Sequence, residues 1–363
     1  MQRLIAIALL AVPALFAACW MQQPVATKAE KEALGSRLFF DKMLSEPDGQ
    51  ACSVCHAPRT AFADPDGAAV SEGMVDGSFV NRNSQSLMYV SFVPPLRLQP
   101  GTNAYFGGLF WDGRSNDLQR QLAGPLFNPA EMNNADTAQL VYEIRFANWK
   151  RDFNRCYDRP KTNEEKYNAM IDAIAHYEAS DELNPFSSAF DLFLRGQYRM
   201  SPEEEMGYEL FKGKAQCSSC HSLQPVDAAG HVLLTDYSYH NLGLPKNPSN
   251  PFYTTFSHLN PNGYSAIDRG LGAVVNDPAQ DGKFRTPSLR NVALTAPYFH
   301  HGGVATLEEA VHFMVARDQM NLVPEIAANI ETERVGHLDL SEKQERAIVA
   351  FLLLLTDGFE QTP

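Results

Sequence analysis

The chain has 363 residues, long for one hydrophobic core and comfortable for two domains. Its 44% hydrophobic and 20% charged content is that of a globular protein, not of a disordered or collagen-like one. With 30 basic and 43 acidic residues the formal charge is -13, which argues against nucleic acid as a partner and suits a basic protein partner drawn in by charge.

Arg3 followed by the apolar run Leu4 to Ala18, with small residues at its end, reads as a signal peptide over 1–18. The run is too short to span a bilayer comfortably. Phe16-Ala17-Ala18-Cys19 loosely resembles a lipoprotein cleavage site with Cys19 lipidated; plain cleavage is the alternative. Leu34-Gly35-Ser36-Arg37-Leu38-Phe39-Phe40 reads as an amphipathic helix and leads into Cys52-Ser53-Val54-Cys55-His56. Cys156 is expected to be a small buried hydrophobe without a role. Asn163 to Ala179 reads as a helix in which His176 is solvated or packed, and Asp181 to Ser188 breaks the pattern. Met206-Gly207-Tyr208-Glu209-Leu210-Phe211-Lys212 weakly repeats the earlier helix. It starts at Ser201 with Pro202 at the first helical position and Glu204 closing a capping box. It leads into Cys217-Ser218-Ser219-Cys220-His221. Pro225 to Pro287 lacks periodicity and is long for a loop, so it is expected to be functional or folded over a cofactor. Thr306-Leu307-Glu308-Glu309 starts a short helix through Met314. Ser341-Glu342-Lys343-Gln344 starts the last helix, with Ala347, Ile348, Phe351, Leu352 and Leu355 as its apolar stripe and Gly358 as its stop.

Each C-x-x-C-H run is the attachment signature of a c-type haem: two thiols add to the porphyrin vinyl groups and the adjacent imidazole takes the iron. The two runs use four of only six cysteines. The chain is therefore expected to be mainly α, with two c-type cytochrome domains and long irregular loops. The domains are 19–181 around Cys52, Cys55 and His56, and 182–363 around Cys217, Cys220 and His221, with the last helix free to pack on the N-terminal domain. Export agrees with covalent haem, which bacteria attach outside the cytoplasm, and a periplasmic location follows. The sixth position of each iron decides its role: a protein ligand makes an electron-transfer haem, an open face one that binds peroxide. No histidine occurs between His56 and His176, so the first iron is read as open, with Met74, Met88 and Met132 as the remaining candidates. For the second iron Met314, Met320, His240, His258, His300, His301, His312 and His337 stay in play.

The sequence resembles the bacterial dihaem cytochrome c peroxidase family, which includes MauG-like enzymes that oxidise tryptophans on a partner protein. The resemblance runs from about Leu34 to Gly358. It is carried by Leu34-Gly35 through Phe39-Phe40-Asp41, Leu44-Ser45, Arg82-Asn83 with Ser86-Leu87, Phe110-Trp111-Asp112-Gly113-Arg114, and Gly124-Pro125-Leu126 with Asn128-Pro129-Ala130-Glu131-Met132. It continues with Arg285-Thr286-Pro287-Ser288-Leu289-Arg290-Asn291 running into Thr295-Ala296-Pro297-Tyr298-Phe299-His300. By matched motif, the resemblance implies Trp111 as an electron bridge between the haems, and Glu131 and Gln121 as the distal pair at the peroxide haem. It also implies Met314 as the sixth ligand of the second haem, and a calcium ion held by Asn83, Thr295 and Pro297. A carboxylate in a closed pocket can move a proton between the peroxide oxygens if burial raises its pKa, and an oxygen-only shell is what calcium prefers.

The resemblance implies a periplasmic peroxidase reducing hydrogen peroxide with electrons from a small cytochrome c or cupredoxin; family members are often dimers. A MauG-like enzyme oxidising a partner's side chains and a dihaem electron carrier are the alternatives. Two departures matter. Many of the peroxidases carry a distal histidine in the stretch matching Ala68 to Gly77; here that stretch has Glu72 and no histidine, which argues against activation by reductive ligand release. MauG-like enzymes carry a tyrosine ligand and an exit tryptophan where this chain has Met314 and Ala215, which favours the peroxidase branch.

Overall fold

The computed structural model describes residues 26–360; the signal segment and Cys19 lie outside them. The chain is mainly helical, with strands limited to two-residue pairs among the described residues.

Helix α1, Lys28–Phe39, starts at Thr27, whose side chain accepts from Glu30 N while Glu30 reaches back to the Thr27 backbone. α2, Cys52–Cys55, is one turn carrying the first C-x-x-C-H run. Strands β1, Arg97–Leu98, and β2, Tyr105–Phe106, pair antiparallel. α3, Leu118–Phe127, and α4, Thr137–Tyr142, are capped by Asp117 and Asp136. α5, Lys150–Cys156, and α6, Asn163–Glu178, complete the first part. Leu34, Leu38 and Phe39 of α1 bury against Ala169 to Tyr177 of α6, with Leu122, Leu140 and Phe153 closing one core; Cys156 lies at its edge.

α7, Ala189–Leu194, and α8, Pro202–Lys212, precede the second C-x-x-C-H run, a 3-10 turn over Cys217–Ser219. Then follow β3, Tyr239–His240, α9, Leu271–Val275, and β4, Phe284–Arg285, which pairs antiparallel with β3. α10, Leu307–Ala316, and α11, Glu342–Leu353, end the chain's helices. Phe190, Phe211, Val311, Ile348, Phe351 and Leu355 form a second core.

Both cores use one construction. A Cβ added at Gly35 of α1 would strike the Ala173 carbonyl of α6 and lie 2.9 Å from Tyr177 Cβ. A Cβ added at Gly207 of α8 would strike the Ala347 carbonyl of α11 and lie 3.0 Å from Phe351 Cβ. The weak sequence repeat thus marks two equivalent helix crossings at which the backbones touch. Each is followed by a haem-attachment turn.

Two expectations change. α11 packs on α8 and α10 and not on the first core, because Phe351 sits among Phe190 and Phe211 at ring distances of 5.4 and 5.1 Å. It also ends at Leu353 rather than at Gly358: Asp357 accepts from Ser187 N and its own N–H donates to Asn291, which draws the chain off the helix axis. Gly358, at φ +77°, lies in the turn beyond.

Polar ties cross between the two cores. Arg290, buried, is bidentate to Asp191 at 2.6 and 2.9 Å, with its guanidinium over the rings of Tyr89 and Phe186. Arg82 pairs with Asp268 at 2.7 Å and Asp112 at 2.6 Å. The aperiodic stretch 225–287 carries β3, α9 and β4 and walls a large cavity through Tyr237, His240, Leu244, Phe284 and Arg285.

Candidate active site

The two attachment turns are prepared alike. His56 Nδ1 lies 2.9 Å from Phe62 O, and His221 Nδ1 lies 2.9 Å from Leu234 O. A carbonyl only accepts, so in each ring Nδ1 carries the proton and Nε2 is left for a metal. Both acceptor residues stand in the left-handed region, Phe62 at φ +56° and Leu234 at φ +50°, so a strained turn aims each carbonyl. Burial lowers the pKa of both imidazoles, keeping them neutral as iron ligands must be. Burial also pushes the Cys52 and Cys217 thiols up to about 12 and Cys55 to about 11. These pockets favour uncharged sulfur, which a thioether to haem is, and none of the four cysteines is in a disulfide. The residues fit covalent haem at both turns.

The second site opens into a cavity lined by Cys217, Cys220, His221, Met314 and Trp111 among others. The structure narrows the sixth-ligand candidates. His312 and His337 are exposed and paired with Glu345 and Asp318, and His258 and Met320 are exposed. His301 accepts from Gly303 N and does not line the cavity. Met314, His240 and His300 do line it. His240 is held by Ser238 Oγ at 2.8 Å and faces Glu331, and His300 stacks on Phe284 at 3.6 Å.

At the first site Glu131 sits within electrostatic reach of Cys55 and of Arg114. Burial raises its pKa; a 2.6 Å hydrogen bond from Asn128 Nδ2 and the charge of Arg114 oppose this. Asn128 is itself fixed, its Oδ1 accepting from Ala130 N. Met132 N donates to Pro125 O and Asn134 N to Leu126 O, so α3 and the Asn128–Met132 turn form one piece. Gln121, on α3, has a buried Oε1 without a hydrogen-bond partner, the orphan acceptor a ligand pocket leaves. The methionine candidates fall away: Met132 is in the first core, Met88 faces the second cavity, and the Met74 side chain lies against Gly49. Glu72 is exposed and accepts from Gly77 N, and Met74 N donates to Glu131 O, so the stretch lacking a histidine is pinned to the glutamate.

Hydrogen bonds lead from Trp111 toward the first site. Its Nε1 donates to Asn83 O at 2.9 Å; the next residue's hydroxyl, Ser84 Oγ, is 2.7 Å from Ser71 Oγ; and Ser71 and Gln50 hydrogen-bond the Cys55 sulfur. Asn83, Thr295 and Pro297 line the same cavity as Trp111. Asn83 spends its Nδ2 on Ala69 O, and no cluster of three or more His, Cys, Asp or Glu able to hold a metal occurs among the described residues. Any ion there would be held by amide and carbonyl oxygens, which fits calcium.

The family model for di-haem cytochrome c peroxidase matches residues 29–199. The methylamine utilization protein MauG of Paracoccus denitrificans is 36% identical over 348 residues, covering 90% of this chain and 88% of that one. The chain belongs to the di-haem cytochrome c peroxidase family. Cytochrome c551 peroxidase of Pseudomonas aeruginosa is 32% identical, covering 94% and 86%. The crystal structure of the diheme peroxidase BthA from Burkholderia thailandensis superposes with a TM-score of 0.78 at 30% identity, covering 92% of this chain and 89% of that one. A di-haem family implies two c-type haems, one for each C-x-x-C-H run.

Sequence reasoning missed three residues around the first site. Asn128 and Arg114 were visible only as parts of motifs. Glu178, the last residue of α6, is 1% exposed, has an unpartnered Oε2 and acts electrostatically on Cys52. A glutamate near a helix end gives no sign in sequence that it is buried. No described helix is long and apolar enough to cross a membrane.

Proposed function

We propose that the protein is a periplasmic peroxidase: hydrogen peroxide, two electrons and two protons become two waters. The electrons come from a small cytochrome c or cupredoxin; Cys217, Cys220, His221 and Met314 would hold the haem that supplies their point of entry. Trp111 and the Asn83–Ser84–Ser71 chain carry them to the first site. Haem held by Cys52, Cys55 and His56 supplies the iron at which the O–O bond is cleaved. Glu131 accepts a proton from the inner peroxide oxygen and delivers it to the outer one, which leaves as water. Gln121 orients the peroxide. Asn83, Thr295 and Pro297 would hold calcium between the two sites.

The observation that supports this most is Glu131, half-buried, within electrostatic reach of Cys55 and clamped by Asn128. In haem-loaded enzyme with a reduced donor, Glu131→Gln is expected to keep both haems and lower peroxide turnover by roughly 10²–10⁴-fold. Near-normal turnover would rule out the acid–base role.

The similarity to MauG favours a second reading, a dihaem enzyme that takes electrons from side chains of a partner protein. Met314 and Ala215 stand against it. Peroxide added without donor decides: a long-lived oxidised state shared by both haems supports the second reading, its absence the first.

A further inference from the structure

The two helix crossings correspond residue by residue. Ala173 and Tyr177 of α6 meet Gly35 as Ala347 and Phe351 of α11 meet Gly207. The residue after Tyr177 is Glu178; the residue after Phe351 is Leu352, which lines the second cavity together with Cys217. Glu178 correspondingly lies within electrostatic reach of Cys52, the matching cysteine of the first run. One construction thus carries a leucine at the second site and a carboxyl at the first. The fold does not require the carboxyl, and burying it without a partner is costly.

No cation offsets it. On α1, Lys31 is taken by Asp172 and Arg37 by Asp152. On α3, Arg120 pairs with Asp117. On α6 and beyond, His176 faces Asp172, and Tyr177 donates to Glu182. Asp64, near His56, accepts from Ser71, and Glu131 is bound by Asn128. Burial alone raises the Glu178 pKa, to about 8, so at neutral pH the group is a neutral acid at the edge of ionising.

We infer that Glu178 is the redox-linked proton site of the first haem: at alkaline pH, where it is ionised while the iron is oxidised, it takes up one proton when the first iron gains an electron and releases it when that electron leaves. The electron is supplied by the one-electron donor or by a mediator dye, and the proton by solvent. The net charge buried around the first iron then stays constant through a redox step at that pH, while the second site has Leu352 at the matching position. This rests on His56 holding the first haem and not on peroxide being the substrate.

The test is a spectroelectrochemical titration of the haem-loaded enzyme between about pH 6 and pH 10, independent of turnover. In the wild type the reduction equilibrium of the first haem is expected to fall up to tenfold per pH unit above about pH 8, about 59 mV. In Glu178→Gln the slope at the first haem is lost, and the two proteins coincide at the acid end. An unchanged slope in Glu178→Gln, or none in the wild type, would overturn the inference. Redox-difference infrared spectra of the wild type and of Glu131→Gln provide the second measurement. A protonated-carboxyl band that responds to first-haem reduction in both is expected, and its absence would also overturn the assignment.

Discussion

Asn128 Nδ2 donates to Glu131 Oε2 at 2.6 Å, and this bond favours the ionised glutamate inside a pocket whose burial favours the neutral one. A hydrogen bond to a charged group contributes about 1.5–3 kcal/mol, or about one to two pH units of proton affinity. Asn128→Leu should therefore raise the Glu131 pKa further and move the acid limb of the peroxide pH–rate profile upward by that amount. At neutral pH turnover should fall as the ionised fraction of Glu131 shrinks. A profile that keeps its midpoint would show that Arg114 alone sets the glutamate.

The two C-x-x-C-H runs and the helix starts at Ser201, Thr306 and Ser341 were legible in the sequence because attachment motifs and capping are local. Ser201 with Glu204, Thr306 with Glu309 and Ser341 with Gln344 all form the capping boxes their order suggests. What depends on the fold was not legible. The end of α11 is set by Asp357 meeting Ser187 and Asn291, residues far off in sequence. The burial of Glu178, the orphan oxygen of Gln121 and the choice among eight candidate ligands to the second iron needed the cavity walls to be seen.

Gly35 and Gly207 offer a matched pair of tests. Each marks a crossing where a methyl group would strike a backbone carbonyl, and backbone yields less readily than a side chain. Gly35→Ala and Gly207→Ala should each cost about 1–3 kcal/mol or more. The damage should be local: Gly35→Ala perturbing the first haem's spectrum and Gly207→Ala the second's. Thermal unfolding followed at both haem signatures checks this, and equal perturbation of both haems by either variant would refute it.

Arg82 sits between Asp112 and Asp268, all three largely buried. Burial alone would raise the Asp268 pKa, but Arg82 overrides it and holds the carboxyl down to about 2. A depressed folded-state pKa contributes stability above the unfolded value that is lost as pH falls through the folded one, here between about 4 and about 2. The wild type should lose about 2 kcal/mol across that window. Arg82→Met leaves Asp268 buried without its cation, while Asp112 keeps Arg114, and should cost about 3–5 kcal/mol at neutral pH. It should also reverse the sign: Asp268 would then be raised by burial, and acid would stabilise the variant relative to neutral pH. Denaturant melts at several pH values read both effects.

Met314 is the most open of the proposed ligands to direct test, because the cavity holds rivals. His240 is engaged by Ser238 and faces Glu331, and His300 is stacked flat on Phe284, so neither ring is free to swing toward His221 without breaking contacts already made. Met314 is on α10, whose backbone is fixed at that point by Gly336 N donating to Met314 O at 2.8 Å. Removing the thioether should therefore leave the second iron open rather than recruit a substitute. Met314→Ala should bind cyanide at both haems where the wild type binds it at the first alone, and the reduction potential of the second haem should fall. Donor-dependent peroxide turnover should drop at least tenfold, since the relay then holds electrons less favourably for their entry from the donor. A cyanide stoichiometry that stays at one, with an unchanged second-haem spectrum, would point to His240 or His300 as the ligand instead.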